Sequence, residues 1–100
     1  MTKSLSKAFA RDGILVNAVS RGLIRTAGVE SGLKLDADRL GITTEEAEQR
    51  YIKRFKPDLV LHRPGTADEV AALVVFLASD QASFLTGANY RVDGGSVVTI

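Results

Sequence analysis

Apolar residues recur first at helical spacing, with Leu5, Ala8 and Phe9 on one face of residues 2–12 and Asp12-Gly13 closing the run. A glycine just past a periodic stretch suits the left-handed position that ends many helices, so a helix over 2–12 is predicted. Residues 14–19 (ILVNAV) then run apolar and β-branched without alternation. That is the pattern of a strand buried on both faces, as in parallel sheets flanked by helices. Residues 20–42 contain Gly22, Gly28, Gly32 and Gly41 and no clean period, which predicts a long irregular connection of the kind that is usually functional or mobile. Thr43 and Glu46 form a capping-box pattern, and Ala47, Tyr51 and Phe55 mark the apolar face of a following helix, with Glu46 and Arg50 spaced as an i,i+4 pair. Lys56-Pro57 stops it. After a turn at His62–Gly65, a second capping box, Thr66 to Glu69, opens a helix over 67–78 whose Val70, Leu73, Val74, Leu77 and Ala78 form a stripe. Ala71, Val75 and Phe76 lie off that stripe, so this helix needs partners on more than one side. Finally Ala88, Tyr90 and Val92 alternate with Asn89, Arg91 and Asp93 between glycines, the signature of a strand.

Helix, strand, connection, helix, helix, strand is the order of a piece of a doubly wound α/β sheet. Two strands are too few to stand as such a sheet, because a buried parallel strand needs neighbours on both edges. At 100 residues the chain has room for one small domain. Only about two-thirds of its surface can be buried on folding, so its stability is expected to be marginal.

The composition, 45% hydrophobic and 25% charged, is that of a soluble globular protein. A net charge of +1 supplies no electrostatic footprint for phosphate backbones or anionic membranes, so nucleic acid is not an expected partner. The longest apolar run, Val70 to Ala78, falls well short of the roughly 20 residues that span a bilayer. The absence of cysteine removes disulfides and thiolate metal sites and points to a reducing cytoplasm. The basic, acid-free start Met1–Arg11 superficially suits a transit peptide, but a helix that stops and runs directly into a strand explains it better.

Ligands of parallel sheets bind beyond the carboxyl ends of the strands, which here means residues 20–26. Gly22 would allow close approach of backbone to a ligand, and the Thr26 hydroxyl would offer a hydrogen bond; a plain strand-to-helix turn accounts for the same residues equally well. Asp36, Asp38 and Gly41 follow the start of a calcium loop, but Leu40 and Ala47 stand where further oxygen ligands belong, and no metal site is expected. His62 has no acidic or nucleophilic partner at informative spacing, and Arg50, Lys53, Arg54 and Lys56 read as a solvated helix face.

The run from Ile14 through Asn17 and Gly22 to Thr26 resembles the segment of short-chain dehydrogenases/reductases in which a Val-Asn strand ends in Pro-Gly-x-x-x-Thr. Gly65, Glu69-Val70-Ala71, Phe76–Ser79, Thr86-Gly87 and Val92–Gly95 match the C-terminal pattern of that family in order and spacing, most like the 3-oxoacyl-carrier-protein reductase type. The resemblance implies the C-terminal part of a Rossmann-like doubly wound sheet, incomplete as it stands. Residues 1–100 would be one segment of a single NAD(P)-binding domain, with 20–60 as its substrate and cofactor loop region.

The implied cofactor is NAD or NADP, and the implied reaction is hydride transfer between nicotinamide and a small carbonyl or alcohol substrate. Gly22, Ile24 and Thr26 are the implied cofactor-binding residues: the Ile24 backbone would meet the carboxamide, and the Thr26 hydroxyl would lie near the carboxamide or pyrophosphate. Asn17 would support the sheet. The helix over 67–78 and the last strand would pack across a subunit interface, or against the part of the fold that this sequence lacks, or both on different faces; a homo-oligomer or an association with a full-length relative is expected.

Arg21 stands where the family usually has Pro, and Leu15 where a basic residue is common. Tyr51 and Tyr90 are followed four residues later by Phe55 and Gly94, so the family's Tyr-x-x-x-Lys pair is missing. No Gly-rich pyrophosphate turn is present either. No catalytic residue is therefore assigned, and the resemblance places the missing pair upstream of Met1. The chain alone is expected to be inactive. The alternatives are a noncatalytic interaction module that pairs with a full-length relative through an open sheet edge, or a truncated reading frame without its own function.

Overall fold

The computed structural model describes residues 1–97, which fall into two compact units: residues 1–21 with 68–92, and residues 22–67 with 93–97. The class is α/β, as the element order predicts.

In the first unit, α1 (Thr2–Phe9) continues as a 3-10 turn at Ala10–Asp12 and ends at Gly13, whose φ of +72° is the left-handed stop expected there. β1 (Ala18–Arg21) pairs in parallel with β2 (Asn89–Val92), Ala18 opposite Asn89 and Arg21 opposite Val92. The strand thus begins four residues later than its apolar run. Upstream, the Val16 N–H goes to the Thr86 hydroxyl rather than to a strand (3.0 Å). Asn17 then stands in for ladder bonds: its Nδ2 donates to the Leu85 carbonyl (2.9 Å) and its Oδ1 accepts from the Ala88 N–H (3.2 Å). Both ends of the amide are thus hydrogen-bonded in support of the sheet, as a half-buried polar group requires.

Burial departs from expectation in this unit. Ile14 and Leu15 are exposed rather than covered on both faces. α1 buries Ser6, whose hydroxyl donates to the Lys3 carbonyl (2.7 Å), while Leu5, Ala8 and Phe9 face solvent. α4 (Ala67–Leu77) buries no side chain. Of the predicted α4 stripe, Val70, Leu73 and Leu77 are half-buried, while Val74 and Ala78 are exposed.

In the second unit, α2 (Ala27–Leu40) and α3 (Thr44–Phe55) pack through Leu33, Ala37 and Ala47, with Val29 and Ile42 against them. α2 corrects the prediction that 20–42 is irregular. Gly28 and Gly32 each cost about 1 kcal/mol of helix propensity and blur the period, but burial of the Val29, Leu33, Ala37 stripe on α3 overrides them. α3 carries the predicted capping box: the Thr43 hydroxyl accepts from the Glu46 N–H (3.1 Å) and the Glu46 carboxylate accepts from the Thr43 N–H. With Glu46 used in this way, it makes no ion pair with Arg50 among the described residues. The buried residues of α3 are Ala47 and Ile52; Tyr51 and Phe55 stack on each other at 5.0 Å and remain exposed, contrary to the predicted face. No described helix is long and apolar enough to cross a membrane.

Candidate functional site

The residues singled out after the first strand, Gly22, Ile24 and Thr26, lie in the second unit, and each has a distinct local cause. Gly22 is held against Asp93: a Cβ built on it would lie 2.8 Å from the Asp93 Cα. That is closer than real Cβ atoms approach backbone, so contact with the segment after β2 is by itself sufficient reason for glycine here. Asp93 in turn accepts from the Gly95 N–H through Oδ1 (3.0 Å), and its buried Oδ2 has no partner among the described residues.

Ile24 is 5% exposed and forms a parallel bridge to Gly65. The Gly65 N–H donates to the Leu23 carbonyl (2.9 Å) and the Arg25 N–H to the Gly65 carbonyl (2.8 Å). In that pattern the bonds to Gly65 belong to the flanking residues, so the N–H and C=O of Ile24 itself point the other way. The carbonyl is taken by the Thr26 N–H (2.9 Å). Among the described residues the Ile24 N–H has no acceptor, which leaves one oriented backbone donor at this turn.

Thr26 is the N-cap of α2, its Oγ1 accepting from the Val29 N–H (3.3 Å). Capping uses the oxygen lone pair and leaves the hydroxyl proton to donate, beside helix N–H groups whose summed dipole favours an anion. A donor at Ile24, a second at Thr26 and a helix N-terminus therefore stand within three consecutive positions.

Two contacts at this turn are invisible to sequence spacing. Arg25 reaches across 23 positions to Glu48 of α3 (3.1 Å), with the Glu48 side chain only 13% exposed; the Arg25 Nε is buried and unpartnered. Beside the pair, Leu23, Val29, Leu33, Leu35 and Tyr51 line a cavity of about 440 Å3 between α2 and α3, with Glu48 and Asp36 in its wall. No local signal announces either, because both depend on how two helices meet. Among the described residues no group of three His, Cys, Asp or Glu side chains is placed to hold a metal.

Known proteins resemble this chain over nearly its whole length. Residues 1–97 match the family described as enoyl-(acyl carrier protein) reductase. The chain is 39% identical over 94 residues to the 3-oxoacyl-[acyl-carrier-protein] reductase FabG of Aquifex aeolicus, covering 94% of this chain and 32% of that protein. It is 37% identical over 100 residues to the oxidoreductase UcpA of Escherichia coli K12, covering 98% and 35%. The chain thus spans about a third of the length of the curated relatives it matches.

Among solved structures, a short chain dehydrogenase family protein from Francisella tularensis superposes with a TM-score of 0.77 at 33% identity, over 99% of this chain and 39% of that one. The L-sorbose reductase of Gluconobacter frateurii, complexed with NADPH and L-sorbose, gives a TM-score of 0.83 at 29% identity, over 99% and 36%. With these coverages, the two-stranded parallel sheet and its helices are part of a Rossmann-like fold.

Proposed function

This chain belongs to the short-chain dehydrogenase/reductase family, and from that premise we propose that it provides the nicotinamide-facing turn and the substrate side of an NAD(P)-dependent oxidoreductase acting on a small carbonyl or alcohol compound. The observation that carries the proposal is the Ile24–Thr26 turn, where a backbone donor without an acceptor among the described residues precedes a hydroxyl at a helix N-terminus. A nicotinamide cofactor, when bound, supplies or accepts the hydride, and the protein's part is orientation. The Ile24 N–H would hold a carboxamide oxygen and so fix which face of the ring is presented. The Thr26 hydroxyl, together with the first N–H groups of α2, would meet a carboxamide or phosphate oxygen. Gly22 would keep the turn seated on Asp93 and so set its position. NAD and NADP fit this turn equally, since it meets the end that they share.

The same reading makes the chain inactive by itself. Proton transfer to or from the substrate oxygen needs a positioned acid, and neither tyrosine has the lysine four residues on that the family pairs with it. A Gly-rich turn for the pyrophosphate is missing from the sequence as well.

A chimera tests both halves: residues 1–97 replace the segment they match in the sorbose reductase, and steady-state kinetics are measured with NADPH. Thr26→Ala is expected to raise the KM for NADPH by about tenfold, the worth of one hydrogen bond to a charged group. An unchanged KM would remove Thr26 from the site. NADPH-dependent turnover by the unfused chain would overturn its inactivity.

A further inference from the structure

The cationic residues of α3 look on their own like a solvated helix face, but the structure brings Arg39 from the end of α2 to join them. Arg39, Arg50, Lys53 and Arg54 line a second cavity of about 390 Å3, with Tyr51 and Phe55 in its wall. Asp36 and Tyr51 belong to this wall and to that of the apolar cavity between the same two helices, so the two spaces adjoin.

The first is the more apolar of the two, and the second carries the cations. The first is walled by Leu23, Val29, Leu33, Leu35 and Tyr51, and Leu35 is left 71% exposed, an apolar surface that a ligand would cover. Its two carboxylates are already neutralised, Glu48 by Arg25 (3.1 Å) and Asp36 by Arg39 (3.4 Å). The second cavity has no carboxylate besides Asp36 in its wall. Arg54 lies over the Phe55 ring at 5.1 Å, and Arg50 and Lys53 have no ion-pair partner among the described residues. The adjoining spaces therefore present an apolar trough that ends at a positive rim.

We infer that these cavities bind an amphiphilic anion: an apolar body seated between α2 and α3, with a carboxylate or phosphate at its far end held by Arg50, Lys53 and Arg54. This rests on the oxidoreductase reading only in making such a compound the substrate; the binding itself does not depend on it. Apolar burial supplies attraction without direction, and the cations select the charged end, discriminating against neutral compounds of equal length. Guanidinium groups suit both headgroups, because their paired N–H donors match carboxylate and phosphate geometry.

The test uses the whole chain, 15N-labelled, titrated at low salt with octanoate, 1-octanol and acetate while amide shifts are followed. Octanoate is expected to move the amides of Leu35, Arg50, Tyr51 and Lys53, and to bind about tenfold more tightly than either comparison compound, as one or two charge-assisted contacts would give. Arg50→Gln with Arg54→Gln, both on the solvent side of α3, is expected to remove that advantage and leave the 1-octanol affinity unchanged. Equal affinity for 1-octanol would reduce the site to an apolar cavity, and equal affinity for acetate to a charged surface. Shifts concentrated on α1 and α4 would mean unspecific contact with their exposed apolar faces. Each of these three results overturns the inference, and none depends on turnover, so the hydride-transfer reading stands or falls separately.

Discussion

Glycines at the candidate site do different work, and their neighbours say which. At Gly22 the atoms in the way of a Cβ are the Cα and Cβ of Asp93, at 2.8 and 2.9 Å; backbone cannot move aside as the end of a side chain can. Gly22→Ala is therefore expected to destabilise the chain by about 1–3 kcal/mol, the usual cost of overpacking, read as a lower urea midpoint. Gly32, inside α2, has nothing within 4 Å of its would-be Cβ. There Gly32→Ala should stabilise the chain by roughly 0.5–1 kcal/mol through helix propensity, read as a higher urea midpoint. A Gly22→Ala variant whose midpoint equalled or exceeded that of the wild type would show the apposition of Gly22 and Asp93 to be wrong. The glycine in the sequence signals a close approach; which residue approaches was not legible, because Asp93 is distant along the chain.

Between elements, the contact that matters most to the site is the Arg25–Glu48 pair, which ties the turn before α2 to the middle of α3. The Glu48 side chain is largely shielded, so the pair should exceed an exposed one, whose worth is about 0.2–1 kcal/mol. A double-mutant cycle with Arg25→Met and Glu48→Gln is expected to give a coupling of about 1–2 kcal/mol in urea unfolding, and the coupling should resist added salt. Strictly additive single effects would dismiss the pair as a strut. Helix α3 and its capping box were readable because a cap is a short-range pattern, four residues long. Helix α2 was not, since its two interior glycines break the periodic signal and its stripe makes sense only once α3 lies against it.

For the molecule as a whole, the notable quantity is apolar surface that nothing covers. Val75 of α4 is 68% exposed and Phe84 is 99% exposed, and Ile14, Leu15, Val74 and Phe76 are also open. Surface of this kind marks contact with other protein or a liability to associate. The chain is expected to form concentration-dependent larger species in light scattering, and Val75→Lys is expected to shift it towards the monomer. A wild-type chain that stays monomeric at high concentration would show that this surface is tolerated as it stands.

Legible in the residue pattern alone were the α/β class, α1 together with its 3-10 extension to Asp12, α3 and α4 to within a residue, and, through the spaced matches from Asn17 to Gly95, membership in a dehydrogenase family. Each of these is a local or periodic property, or an ordered set of short motifs. Where β1 begins was settled by contact across the chain, because a strand is defined by its neighbour, and the side chains of Asn17 and Thr86 take the bonds that would have started it earlier. Tertiary contact also settled that Leu5, Phe9 and Val74 stay exposed, that Glu48 anchors the turn before α2, and that cations from two helices line one cavity. All of these depend on residues far apart in the chain coming together in space, which no window of sequence contains.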